Sequence, residues 1–396
     1  MNRHVTMAGL ICTAMLVLSM PAQAAAGSPQ GLSREDLTFT LTAPQPYAAP
    51  AAALTSRVVG LPGPEDLDVE LEKAAAPTIP TFSRSITARG RAYTVTLVGR
   101  DPFVRNARNV VVPVQFIPVR FEFDDGTFFD PTLPSPACAG GSSSALRRVV
   151  ESPLVLSANY GDGNRQFEEQ IRRFEFWALT GAQGAINPGY SVRISTSVLP
   201  TLVIRLRGFP TVPVACGRLG LLDIRVWDPF IKASVFPLLG NLGVSPRTFP
   251  VFLFLNVVLF DGTPNKCCIA GYHSVFNSGG LQTYGIAEYD VSQSFRGVRD
   301  VSVLSHELAE WYDDPFVNNA TPAWGHVGQV QGCQANLEVG DPLSGSLHVV
   351  TMPNRFTYHP QELAFFSWFY NQTPSLGING WYSSGGSFRS PAASCR

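Results

Sequence analysis

The β-prone segments of this chain come first and its clearest helical pattern comes late, which limits the folds open to it. The longest β-prone run covers residues 110–123, where Pro113 and Pro118 predict an edge position or a bulge. Apolar stretches typical of further strands lie over residues 92–98, 192–206, 219–226, 249–260 and 284–291. This order predicts an α+β domain over residues 91–396.

The N-terminal part is predicted to lie outside this domain. Arg3 precedes an almost continuous apolar run that ends at Met20, and an Ala-x-Ala sequence follows at residues 22–24. This pattern is typical of a secretory signal peptide over residues 1–24. Residues 25–90, rich in alanine, proline and threonine, predict a linker or a pro-segment. We therefore expect a secreted protein, extracellular or periplasmic, with no stable membrane anchor after cleavage.

The cysteine count of the mature chain is even, which favours disulfide bonds in an exported protein. The cysteines left after signal removal are Cys138, Cys216, Cys267, Cys268, Cys333 and Cys395. Adjacent cysteines rarely bridge each other, so Cys267 and Cys268 are each expected to pair elsewhere. The 29 basic and 30 acidic residues nearly balance, and without a basic patch nucleic acid is not an expected partner.

One segment, residues 305–310 with the sequence SHELAE, carries recognisable metal chemistry. His306 and Glu310 are four residues apart, so on a helix they project from one face and reach a single ion. Glu307 lies beside them, where it can act on a water molecule bound to that ion. The pattern is that of the H-E-x-x-H metal-binding motif with a carboxylate in place of the second histidine.

The same predicted helix, capped by Asp300 and ended by Pro315, has an excess of acids and no lysine or arginine. Its acidic residues are Glu307, Glu310, Asp313 and Asp314. Their spacing and their position near the helix C-terminus are unfavourable unless a cation is bound. The alternative is an amphipathic surface helix whose histidine and acids are solvated.

A catalytic zinc usually has three protein ligands, and Glu338 is the first choice for the third. Asp341 is then expected to accept a hydrogen bond from the His306 ring. Asp314, His326 and Asp341 itself are the other options for the third ligand, and in a simpler alternative Glu338 and Asp341 only cap their loop. Zn²⁺ is the leading candidate ion, with Mn²⁺ as the alternative because carboxylate ligands favour harder ions.

His273 is a further candidate residue in the segment Cys267–Ser274, which reads CCIAGYHS. It is a candidate catalytic residue that stabilises a developing oxyanion, with Tyr272 as its partner. The alternative is an ordinary hydrogen-bonded structural histidine.

Three segments together resemble a pattern of poorly characterised secreted bacterial proteins. They are SHELAE at residues 305–310, Asp-Pro at 314–315 and Glu-Val-Gly-Asp at 338–341, and the run at 267–274 looks like part of the same pattern. More distantly, the helix resembles that of the zincin metallopeptidases, and its H-E-x-x-E form is similar to the exordium/phosphate-induced family.

The resemblance implies a zincin-like metallohydrolase domain with a twisted mixed β-sheet, an active-site helix and a strand edge beside it. It implies metal ligands at His306 and Glu310 and a general base at Glu307. The sequence departs from the zincins at Glu310, where they have histidine, and it lacks their later histidine.

We therefore expect a secreted metal-dependent hydrolase that resembles metallopeptidases and acts on a protein, a peptide or a cell-wall cross-link. Residues 249–260 or 284–291 would offer a strand edge to an extended substrate. The alternative is a non-catalytic exported binding or wall-associated protein with a structural ion such as Ca²⁺.

Overall fold

The computed structural model describes residues 37–42, 78–107, 109–135 and 142–395. The predicted signal peptide, most of the predicted linker and Cys138 lie outside these residues. Within the described ranges, no helix has both the length and the apolar character needed to cross a bilayer.

The strands are β1 (Leu37–Thr42), β2 (Thr81–Ala88), β3 (Arg91–Val98), β4 (Val110–Phe123), β5 (Phe128–Phe129), β6 (Ala158–Asn159), β7 (Asn164–Arg165), β8 (Val192–Val198), β9 (Thr201–Leu206), β10 (Thr211–Val214), β11 (Gly217–Asp223), β12 (Phe249–Leu255), β13 (Val257–Phe260), β14 (Cys267–Ile269), β15 (Gly271–Asn277), β16 (Leu281–Tyr289), β17 (Ala320–Val327), β18 (Val330–Asn336), β19 (Val350–Thr351) and β20 (Thr357–Tyr358). The α-helices are α1 (Ala145–Val150), α2 (Phe167–Glu175), α3 (Trp177–Thr180), α4 (Ile224–Phe230), α5 (Phe236–Leu239), α6 (Ser302–Asp313) and α7 (Phe366–Phe369). A π-helical turn covers Ile231–Val235, and 3-10 turns cover Gly240–Leu242, Pro264–Lys266, Asp341–Leu343 and Ile378–Gly380.

A mixed eight-stranded sheet with the order β1-β9-β4-β12-β16-β15 forms the centre, and β5 and β8 also pair with β4. Strands β4, β12 and β16 are parallel neighbours, whereas β15 runs antiparallel to β16 at the end of the order. A separate four-stranded sheet has the order β10-β11-β13-β14. The described chain is therefore a mixed structure of helices and sheets.

Strand β4 is central in this sheet, so the edge position predicted from Pro113 and Pro118 is wrong. On one side it pairs with β12 over residues 114–118. On the other side it pairs with β8 over residues 110–116 and with β9 over residues 119–123. Each proline thus lies where one ladder begins or ends, and there the missing N–H group is tolerated.

The sheet edge beside helix α6 is β15. The edges predicted at residues 249–260 and 284–291 are wrong, because β12 lies between β4 and β16, and β16 lies between β12 and β15. The first of these runs is also divided at Asn256, whose φ is 49°. After this residue the chain leaves the central sheet and enters the second one as β13.

Two strands fall within residues 25–90, where the composition predicts a linker or pro-segment. Strand β1 pairs with β9 and so extends the central sheet, and β2 forms a two-stranded antiparallel pair with β3. These two segments are therefore part of the folded structure.

The core lies on both faces of the central sheet, because successive strand residues point to opposite sides. On β12, Val251 and Leu253 belong to one apolar cluster, whereas Phe252 and Phe254 belong to the other. The first cluster includes the apolar residues of α6, and the second includes α4 around Trp227. Helix α6 therefore packs on one face of the central sheet, close to its edge strand β15.

Helix α6 runs from Ser302 to Asp313, close to its predicted bounds, and every one of its residues is buried. The interpretation as a surface helix is therefore wrong. Asp300 does not cap the first turn as predicted. Its carboxylate accepts the N–H of Val301 at 2.7 Å and the N–H of His359 at 2.9 Å.

The predicted disulfide bonding is confirmed, but the expectation that Cys267 and Cys268 each pair elsewhere is wrong. Cys267 and Cys268 bridge each other across a cis peptide bond, with their Cα atoms 3.0 Å apart. Cys333 pairs with Cys395, and Cys216 is also disulfide-bonded.

Glu288, on β16, is a buried carboxyl group that is only 1% exposed. Among the described residues neither of its carboxyl oxygens has a hydrogen-bond partner. Burial, followed by the charge of Asp290, raises the pKa of Glu288 well above its ordinary value of 4.5. The folded chain therefore keeps this group protonated at a pH where the unfolded chain ionises it.

Glu288→Gln is expected to raise stability at neutral pH. Because the folded-state pKa is raised, unfolding releases a proton, and wild-type stability falls as the pH rises above 4.5 towards the folded-state pKa. Glutamine mimics the protonated form and removes this slope of about 1 kcal/mol per pH unit. Urea unfolding at several pH values above 4.5 measures how the free energy of unfolding depends on pH. Glu122→Gln, at a more exposed strand position, is the control, and identical slopes for Glu288→Gln and wild type would contradict the prediction.

Candidate metal centre

Helix α6 directs one face towards the edge strand β15. This face carries His306, Glu307 and Glu310, and β15 contributes His273. The loop after β18 contributes Glu338. We call these five residues the His–Glu cluster; none is more than 1% exposed.

Glu310 lies between the two imidazoles of the cluster. Its Oε1 is 3.0 Å from Nε2 of His306, and its Oε2 is 3.8 Å from Nδ1 of His273. The ligand atoms of His273, Glu310 and Glu338 all lie within 4.8 Å of one another, and so do those of His306, Glu307 and Glu310. The His–Glu cluster can therefore hold a metal ion.

The orientation of the His306 ring is set by Gln361. The Gln361 amide donates to the carbonyl of Gly340 at 2.7 Å, so its Oε1 must face the ring. Nδ1 of His306 then donates to that oxygen at 3.2 Å. In the neutral ring, Nε2 therefore has its lone pair directed at Glu310.

The His273 ring is held in the same way from its other nitrogen. Its Nε2 donates to the backbone carbonyl of Asp314 at 3.1 Å. Its Nδ1 faces Glu310 and also lies 3.6 Å from Oε2 of Glu307. Metal-bound histidines are held like this, with one nitrogen donating to a protein acceptor and the other free for the ion.

Several polar atoms of the cluster have no hydrogen-bond partner among the described residues outside the cluster, and within it they face one another. They are Nδ1 of His273, Nε2 of His306, both carboxylate oxygens of Glu307, and Oε2 of Glu310 and of Glu338. Each buried polar atom without a partner costs about 1–3 kcal/mol. A cation in the cluster would give these atoms the partner that they lack.

The pKa values show how strongly the acids of the cluster attract positive charge. Burial alone would lower the pKa of His306, but the charges of Glu310, Glu307 and Asp341 raise it to about 10. Burial raises the pKa of Glu307 to about 7, although both imidazoles oppose this. Burial and the charge of Glu310 raise the pKa of Glu338 well above its ordinary value. A divalent ion competes with protons for these groups.

Asp341 lies beside the cluster, with Oδ1 3.6 Å from Nε2 of His306. Its carboxylate accepts hydrogen bonds from the side-chain amides of Gln329 and Gln334. The predicted hydrogen bond from the His306 ring to Asp341 is not formed: Nδ1 donates to Gln361, and Nε2 is 3.6 Å from Asp341. No sequence pattern pointed to Gln361, which lies 55 residues after the histidine.

Two other predicted ligand options, Asp314 and His326, are not brought into the cluster. The carboxylate of Asp314 accepts the backbone N–H groups of Asn318 and Asn319 and so closes the turn after the helix. His326 lies 3.9 Å from Sγ of Cys333. That sulfur is disulfide-bonded, and therefore it is not a thiolate ligand.

The prediction that Tyr272 is the partner of His273 is wrong. Neighbouring strand residues point to opposite faces of the sheet, and the Tyr272 hydroxyl donates to Asp228 at 2.9 Å. His273 instead faces the helix.

One acid of helix α6 is already paired with a base from another helix. Arg172, on α2, is 2.5 Å from Asp313 and 2.8 Å from Glu175, and it donates to the carbonyl of Tyr312. The predicted excess of acid on the helix is thus smaller than its sequence indicates, and it is concentrated at the His–Glu cluster.

Comparison of the chain with protein-family models, with curated proteins and with solved structures finds no match. The resemblance to zincins and to the exordium/phosphate-induced family therefore stays a prediction.

Gly340→Ala is expected to disrupt the cluster. A Cβ atom at this position would lie 2.3 Å from Nδ1 of His306 and would push the buried ring aside. Overpacking of this kind lowers the free energy of unfolding by about 1–3 kcal/mol. Gly332→Ala is the matched control, because its added Cβ meets no atom within 4 Å. Chemical denaturation measures the free energy of unfolding of both variants. Equal losses of stability would contradict the predicted contact with His306.

Proposed function

We propose that the protein is a secreted metal-dependent hydrolase with a zincin-like fold. The ion would be bound by His306 and Glu310 together with His273, Glu338 or both. The observation that carries the proposal is the arrangement of the imidazoles, each with one nitrogen donating to the protein and the other directed at Glu310. Zinc is the first candidate ion, and manganese the second.

Glu307 is the candidate general base. Both of its carboxylate oxygens lack a partner among the described residues, and it lies within the cluster beside His273. A bound ion supplies Lewis acidity and makes a water molecule more acidic. Glu307 would accept the proton of that water and deliver it to the leaving group.

The geometry favours His273 as a ligand over the predicted oxyanion-stabilising role. In its neutral form the ring has a single N–H, and this group is donated to the carbonyl of Asp314. The nitrogen that faces the cluster then has a lone pair, which suits a metal and cannot stabilise an oxyanion.

The proposed substrate is a protein, a peptide or a cell-wall cross-link. Strand β15 carries His273 and ends the order of the central sheet. Residues 271–274 of this strand are buried and residues 275–277 are partly or fully exposed, so an extended peptide would add at the latter end of the edge.

Burial favours a second candidate function, an exported binding or wall-associated protein with a structural ion. His273, His306 and Glu310 have no exposed surface, whereas a catalytic metal keeps a position open to substrate. Under this candidate the cluster would be a closed site, and Glu307 would have no catalytic role.

Glu307→Gln is expected to retain the metal and to lose hydrolysis by about 10²–10⁴-fold, because only the proton acceptor is removed. Metal content by mass spectrometry and cleavage of a peptide library measure the two effects. Glu288→Gln is the control for an isosteric change at a buried glutamate outside the cluster, and it should retain both properties. Cleavage by Glu307→Gln at the wild-type rate would exclude Glu307 as the base.

Chelation separates the two candidates further. In either case removal of the ion should lower the free energy of unfolding, by about 3 kcal/mol where the free ion had been present at 100 times its Kd. The hydrolase should also lose peptide cleavage and regain it with added Zn²⁺. If added Zn²⁺ restores the stability without any peptide cleavage, the structural site is favoured. If chelation does not change the stability, both candidate functions are contradicted.

A further inference from the structure

We infer that the His–Glu cluster binds two divalent ions bridged by the carboxylate of Glu310. This inference rests on the proposed metal site and concerns the number of ions in it. Oε1 of Glu310 faces His306, and Oε2 faces His273. A carboxylate whose two oxygens face different imidazoles has the arrangement needed to bridge two ions.

Each half of the site has its own set of donors. On one side, Nε2 of His306 lies 3.0 Å from Glu310 and 3.6 Å from Oδ1 of Asp341. On the other side, the ligand atoms of His273, Glu310 and Glu338 are mutually within 4.8 Å. Each ion would thus have an imidazole nitrogen, one oxygen of the bridging glutamate and a second carboxylate.

The number of carboxylates in the site also favours more than one divalent ion. Glu307, Glu310, Glu338 and Asp341 together have a formal charge of about −4 when ionised. Within the described part of the chain, the ion pairs of these carboxylates are with histidine, and none is with lysine or arginine. Two divalent ions would replace the protons of the site and balance all four ionised carboxylates, whereas one ion would balance two of them and leave the others to be protonated.

The competing arrangement is a single ion bound by both oxygens of Glu310. It would accept both imidazoles, and the carboxyl groups that it does not balance would remain protonated. The number of bound ions distinguishes the two arrangements.

The test is a titration of the metal-free, full-length chain with Mn²⁺ alone. Free Mn²⁺ is followed by electron paramagnetic resonance, and bound metal is counted by mass spectrometry after gel filtration. We expect about two ions per chain at saturation, with the exchange-coupled spectrum of ions that lie about 3.5–4 Å apart.

Variants assign the two halves. Glu338→Gln and His306→Gln should each lower the count to about one and abolish the coupling, because each removes one donor set. Glu288→Gln, outside the cluster, should keep the wild-type count and spectrum. If a cluster variant fails to fold, the wild-type count and spectrum still decide.

One uncoupled ion per wild-type chain would overturn the two-ion inference and leave the proposed hydrolase with a single ion. No bound ion, with Zn²⁺ tested in parallel, would overturn both. The two failures are therefore distinguishable in one experiment.

Discussion

The carboxylate of Glu310 is buried between two imidazoles, and the neighbouring structure keeps these three groups in position. The carbonyl of Asp314 and the amide of Gln361 orient the rings, and the N–H of Gly340 donates to Glu310 at 3.2 Å. Burying ionisable groups is costly unless hydrogen bonds and opposite charges compensate. Here the hydrogen bonds from the surrounding structure orient the groups but leave the inward-facing atoms paired only with one another, and that arrangement is the physical basis for a metal site.

Close approach of the backbone makes this arrangement feasible. Helix α6 lies against β15 where Gly271 leaves room, since a Cβ there would lie 2.7 Å from a carboxylate oxygen of Glu307. Gly340 leaves room for the ring of His306 in the same way. The strand, the helix and the loop after β18 meet only because a residue without a side chain lies at each contact. Packing and electrostatics are therefore linked: the acids come together because the backbones come together.

The sequence predicts the part of the site that depends on local spacing. Helical periodicity brings His306 and Glu310 to one face, and the structure has this helix within one residue of its predicted start. The role of His273 depends instead on β15 lying at the end of the sheet, and strand order is not contained in any short segment. Gln361 was missed for the same reason. The prolines of β4 suggested an edge strand. The sequence does not reveal that the partner of β4 on one side changes from β8 to β9 along the strand.

The disulfide between Cys333 and Cys395 spans 62 residues, and the covalent ring that it closes contains Glu338, Asp341 and Gln361. Closing a ring of this size removes about 4 kcal/mol of conformational freedom from the unfolded chain. It also raises the effective concentration of the three residues relative to one another, because they explore a smaller volume. His273 and helix α6 lie outside the ring. The oxidised ring thus confines these three residues, and assembly of the site becomes the docking of the segment that carries them onto the strand with His273 and the helix with His306 and Glu310.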